Sequence, residues 1–94
     1  MEIDLLVTND DLALTVECKS RLGIDDVNEH LDRLNRFKRL LPRYSDVRLM
    51  GAVAGMVVPD DVARYAYRSG LYVLAQSGER VIIRNDETFT PGVW

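Results

Sequence analysis

Three side chains near the start of the chain, Asp4, Glu17 and Lys19, have types and spacing suited to metal-assisted chemistry. Residues Glu2 to Thr8 alternate, with Ile3, Leu5 and Val7 on one side and Glu2, Asp4, Leu6 and Thr8 on the other, which is the period of a half-buried strand. A second run, Leu12 to Ser20, puts Leu12, Leu14, Val16 and Cys18 on one face and Ala13, Thr15, Glu17 and Lys19 on the other. Asn9-Asp10-Asp11 between them has turn chemistry, because short Asx side chains bond to nearby backbone. The pair reads as a β-hairpin. Packing Ile3, Leu5 and Val7 inward beside Leu14, Val16 and Cys18 leaves Glu2 and Asp4 on the opposite face with Glu17 and Lys19, and makes Cys18 a structural core residue. Neighbouring carboxylates repel unless a cation sits between them, and magnesium takes one or two protein carboxylates while keeping open positions for water and phosphate oxygens. With Asp4 and Glu17 on the metal, the Lys19 ammonium would orient the nucleophile and stabilise developing negative charge, and phosphodiester hydrolysis is the expected reaction.

The elements that must hold this hairpin in place are legible downstream. Asp25 and Asp26 suit the positive end of a helix dipole, and a helix is expected from about Ile24 to Leu41, stopped by Pro42. Its apolar stripe is Ile24, Val27, Leu31, Leu34, Phe37 or Lys38, and Leu41. Val47 to Val58 reads as a central strand whose small residues Gly51, Ala52, Ala54 and Gly55 let helices approach closely. Pro59-Asp60-Asp61 opens a second helix through Val62 to Ser69, and Gly70 ends it. Leu71 to Gln76 is a further buried strand, Ser77-Gly78 a turn, and Val81 to Ile83 a short last strand before a tail that ends at Trp94. The expected order is ββαβαββ in a single α/β domain over residues 1–94.

Glu-Ile-Asp-Leu-Leu at 2–6 followed by Val-Glu-Cys-Lys-Ser at 16–20 resembles the PD-(D/E)xK nuclease pattern. Its first part is degenerate here, with Ile3 before Asp4, and its second part matches as Glu17, any residue, Lys19. Gly51-Ala-Val-Ala-Gly-Met-Val-Val-Pro, Ala63-Arg-Tyr-Ala and Leu71-Tyr-Val-Leu are similar to uncharacterised bacterial nuclease-like proteins, many with an upstream coiled coil. The resemblance implies a restriction-endonuclease-like mixed sheet flanked by helices, with the motif on the second and third strands of an αβββαβ core. It also implies a Mg²⁺ or Mn²⁺ cofactor on Asp4 and Glu17, catalysis assisted by Lys19, and DNA as substrate. This chain begins at the motif strand, so the family's first helix and strand are missing and an N-terminally truncated domain is expected. The exposed sheet edge would then favour a homodimer or association with the missing segment. The alternative is a catalytically inactive module of the same fold, serving dimerisation or protein interaction, in which the acids are ordinary surface charge.

Composition bounds these readings. The 94 residues are enough for one domain, and 47% hydrophobic content in short runs, with 29% charged, excludes a disordered chain. No apolar stretch reaches the ~18 residues of a membrane span. The start lacks the basic region of a secretory signal, so a cytoplasmic protein is expected. One cysteine excludes an internal disulfide and gives no zinc-site spacing. A net charge of −3 supplies no global attraction for nucleic acid. Lys19, Arg21, Arg33, Arg36, Lys38, Arg39 and Arg43 leave a local basic face open, against a solvated helix face balanced by Asp25, Asp26, Glu29 and Asp32. His30 reads as a residue flanking the core more than as a phosphate or proton contact. Tyr65, Tyr67 and Tyr72 fit packing better than base stacking, Glu2 stands as a fourth candidate for the cluster of Asp4, Glu17 and Lys19, and the sequence gives Gln76 and Trp94 no role.

Overall fold

Asn9 makes the first chain reversal, its Oδ1 accepting from the backbone N–H of Leu12 at 3.0 Å and of Asp11 at 3.3 Å. In the computed structural model, which describes residues 4–94, this turn joins strand β1 (Leu5–Thr8) to antiparallel strand β2 (Leu12–Arg21). Leu5 stands opposite Val16 and Val7 opposite Leu14. Helix α1 (Ile24–Leu40) then crosses to strand β3 (Arg48–Val57), parallel to β2, and helix α2 (Asp60–Arg68) crosses to strand β4 (Tyr72–Ser77), parallel to β3. Parallel neighbours need such crossovers, whereas a two-residue turn suffices for antiparallel strand β5 (Arg80–Ile83); it is Gly78-Glu79, one residue beyond the expected Ser77-Gly78, because Ser77 still pairs with Arg80. The result is a mixed α/β sheet in the order β1-β2-β3-β4-β5. The expected succession of strands and helices is found.

Both helices lie on one face, where the Tyr65 hydroxyl of α2 donates to Asn28 Oδ1 of α1. The core forms between them and the sheet, from Val27, Leu34 and Phe37 of α1, Val62, Ala63 and Ala66 of α2, and Ala13, Leu49, Val53 and Val73 of the strands. Gly51 permits the close approach of α1, since a Cβ there would sit 2.5 Å from Leu34 Cδ1. Gly70 ends α2 at φ +94°, and a Cβ on it would meet the Gly92 nitrogen at 2.8 Å. The tail is tied down there: Gly92 N–H donates to Gly70 O, and Trp94 N–H donates to Leu49 O while its ring packs against the core.

The structure overturns one expectation about the hairpin. Leu5, Val7, Leu14, Val16 and Cys18 do share a face, but it is the face away from the helices, and Cys18 is exposed rather than in the core. Leu5 is 50% and Val7 51% exposed, while Leu6, on the other side, packs against the core. The physical reason is that alternation decides which residues share a face and not which face the crossover helix covers. Here α1 covers Ala13, Thr15 and Glu17 and brings polar partners for the last two. Glu2 and Ile3 lie outside the described residues.

Smaller corrections have local causes. Helix α1 ends at Leu40 rather than Leu41, because Leu41 leaves helical geometry and Pro42 opens a 3-10 turn over Pro42–Tyr44. Strand β3 stops short of Val47 and Val58, and β4 is shifted one residue beyond Leu71 to Gln76. In the helix stripe Ile24 is exposed, and His30 takes a buried place beside Val27, Leu34 and Phe37. No helix among the described residues is long and apolar enough to cross a membrane.

Candidate functional site

Glu17 lies on the helix-covered face of β2, and only 4% of it is exposed. A buried carboxylate is tolerable only when paired. Arg33 of α1 donates from Nη1 to Glu17 Oε2 at 2.5 Å, and Lys19 Nζ stands 3.4 Å from Oε1. Each cation has a second acid within reach on α1. Lys19 Nζ is 3.9 Å from Asp26 Oδ1, and Arg33 Nη2 is 3.9 Å from Glu29 Oε2. Asp26 is itself fixed, because its other oxygen accepts the Gly23 N–H at 2.9 Å and closes the first turn of the helix.

Asp4 precedes β1 by one residue, and continuing the register of Leu5 with Val16 sets it opposite Glu17. Its Oδ2 accepts the backbone N–H of Cys18 at 2.8 Å, so a carboxylate takes over from the backbone ladder where β1 ends. The sequence-derived trio of Asp4, Glu17 and Lys19 thus occupies one end of the hairpin. Arg33 is the member that sequence reasoning missed, although a buried acid on a strand required a partner and Arg33 flanks the α1 stripe one turn after His30.

The protonation states follow from these contacts. The Lys19 ammonium is held above its usual range, first by its hydrogen bond to Glu17, then by the Glu17 and Asp26 charges, so it serves as a fixed cation and not as a base. Partial burial of its sulfur, then the Asp4 and Glu17 charges, push the Cys18 thiol up and keep it neutral, which makes it a poor nucleophile. His30 is 2% exposed, and its Nε2 lies 3.2 Å from Thr15 O and 3.3 Å from Thr15 Oγ1. A carbonyl only accepts, so Nε2 carries the proton and donates it there. Among the described residues His30 Nδ1 is a buried polar atom with no hydrogen-bond partner. Burial pulls the His30 pKa down, outweighing the opposing Thr15 bond and Glu17 charge. His30 therefore supports the site from behind.

The remaining candidates have structural duties. Gln76 Nε2 donates to Gly78 O on the helix-free face, away from Glu17. Tyr72 packs edge-on against Phe89 at 4.9 Å, Tyr67 packs on the core, and Tyr65 links the helices. Arg36 pairs with Asp32 on the outer face of α1, as a solvated helix face would.

Among the described residues no group of three or more His, Cys, Asp or Glu side chains is placed to hold a metal ion. The available donor set is the oxygen pair of Asp4 and Glu17. Hard oxygen donors, one or two in number, are what Mg²⁺ takes from a protein, so the pair fits that ion in chemistry. The fit carries a condition, because both Glu17 oxygens already face a cation. No protein-family model, curated protein or solved structure matches the chain.

Proposed function

We propose that the chain is a PD-(D/E)xK nuclease-like domain of restriction-endonuclease-like architecture that hydrolyses phosphodiester bonds in DNA, with Mg²⁺ or Mn²⁺ held by Asp4 and Glu17. The observation that supports this most is the placing of Lys19 3.4 Å from the Glu17 carboxylate, on a hairpin whose first strand brings Asp4 opposite Glu17. A crossover helix and a parallel strand follow that hairpin, as the motif's setting requires. A bound divalent cation would polarise the phosphate and lower the pKa of a coordinated water. Lys19, kept protonated by Glu17, places a fixed positive charge where negative charge develops on the phosphoryl oxygens. The Cys18 N–H holds Asp4 in orientation, and Arg33 and Lys19 hold Glu17.

The test is cleavage of plasmid and single-stranded DNA with Mg²⁺ or Mn²⁺, set against the same reaction in EDTA. Asp4→Asn, Glu17→Gln and Lys19→Met should each lower the metal-dependent rate by about 10²-fold or more, the usual loss for one electrostatic or acid-base group. Equal background from wild type and all three variants would overturn the proposal.

A second reading, a non-catalytic interaction module, is favoured by a different observation. The helix-free face of the sheet is apolar and carries a groove of about 350 Å³ lined by Leu5, Val16, Ala54, Met56, Leu74 and Val81 among others. Such a patch marks an association surface in many soluble proteins, here for a second copy of the chain or another segment.

A further inference from the structure

Glu17 poses a problem that the proposed metal site must solve, and the solution rests on that functional reading. Its side chain is 6% exposed and both of its oxygens face cations, Arg33 Nη1 at 2.5 Å and Lys19 Nζ at 3.4 Å. A dication that approaches Glu17 therefore meets a like charge at either oxygen, and its binding is eased where one of those cations can move away. Lys19 belongs to the hairpin and shares its strand with Glu17, whereas Arg33 reaches over from α1 on a long side chain that is 23% exposed. Glu29 waits one turn back on the same helix, 62% exposed, with its Oε2 already 3.9 Å from the second Arg33 nitrogen. The guanidinium has two acids in reach, one buried and one solvated.

We propose that Arg33 is a displaceable counter-ion that holds Glu17 in the metal-free protein and passes to Glu29 when a divalent cation takes that carboxylate. Arg33 is then a positioning residue with two stations. It holds the buried carboxylate in place, and it sets the threshold for metal occupancy by competing for Oε2. Charge balance favours the exchange, since the arriving cation replaces the positive charge that leaves Glu17, and Glu29 compensates the guanidinium at its new place. An arginine suits this better than a lysine, because its fork can touch Glu17 through one nitrogen while the other faces Glu29.

The experiment is titration of Mn²⁺ alone into the full chain, followed by calorimetry and by the electron paramagnetic resonance signal of free Mn²⁺. Arg33→Gln should bind Mn²⁺ about tenfold more tightly than wild type, the low end of the coupling between close charge pairs. Arg36→Gln, which removes an equal charge paired with Asp32 on the same helix, should bind as wild type does, and Glu17→Gln combined with Arg33→Gln should cancel the gain. Should Arg33→Gln fail to fold, Arg33→Lys keeps the charge without the fork and should still bind more tightly than wild type. Binding by Arg33→Gln alone, with none by wild type, supports the exchange. Equal affinity in wild type and Arg33→Gln overturns the role of Arg33 and leaves the metal site standing. No Mn²⁺ binding by any variant overturns both.

Discussion

His30 shows how a single residue can tie the site to stability. The ring is buried, it donates to Thr15 behind Glu17, and the groups that bear on it are Glu17, Arg33 and Asp4. Because burial lowers its pKa in the folded state, the unfolded chain takes up the proton first as pH falls below the usual histidine value of about 6.5. His30 thus contributes nothing to the pH dependence well above that value and destabilises the fold progressively below it. Urea unfolding of the wild type should show a lower midpoint at pH 5.5 than at pH 7.5. His30→Gln, whose amide can still donate to Thr15, should show a clearly smaller drop, and an equal drop in both proteins would rule out His30 as the group responsible. Glu17 and Lys19 act on the same scale: their mutual contact keeps an ammonium fixed at the hairpin's end, and the nuclease proposal depends on that charge.

At the scale of elements, the fit of α1 onto β3 decides where Arg33 and His30 come to lie. Gly51 is the closest point, where an added Cβ would stand 2.5 Å from Leu34 Cδ1 and 2.7 Å from Leu71 Cδ2. A valine there would gain strand propensity on a scale that spans about 1 kcal/mol, yet overpacking a filled core costs about 1–3 kcal/mol. The steric term wins. Gly51→Val should lower stability by up to about 2 kcal/mol in chemical denaturation, the difference of those two effects, and a raised midpoint would show that α1 does not press on β3. The small residues of Val47 to Val58 made this closeness legible in the sequence, as the first-turn acids Asp25 and Asp26 and the stops Pro42 and Gly70 made the helices legible. Which side of the hairpin α1 would cover was not legible. Leu5, Val7 and Val16 form as apolar a face as any, and β3 offers apolar residues on both sides, with Leu49 and Val53 facing the helices and Ala52 and Met56 facing away. On the covered side Thr15 meets His30 and Glu17 meets Arg33, and partners so far apart in sequence leave no periodic trace.

Taken as a whole, the molecule is a two-layer structure with helices on one side of the sheet and apolar side chains open on the other. Met56 is 61%, Val81 72% and Ile83 65% exposed, and β5 is an edge strand with four exposed residues. Exposed edges and contiguous apolar surface both promote self-association. Sedimentation velocity at rising concentration should show wild type associating and the Val81→Lys, Ile83→Lys double variant staying monomeric. Each exposed position should change folding stability by no more than about 0.5 kcal/mol. A monomeric wild type at all concentrations would remove self-association from the interaction-module reading. The nuclease reading does not require that outcome, although Lys19 borders the same groove while Glu17 lies on the helix-covered side. The most direct measurement for that reading is anomalous diffraction from crystals of the full chain grown with Mn²⁺. The expected result is a peak in contact with the carboxylates of Asp4 and Glu17, with the Arg33 guanidinium turned to Glu29, and a map with no peak at those two carboxylates would contradict it.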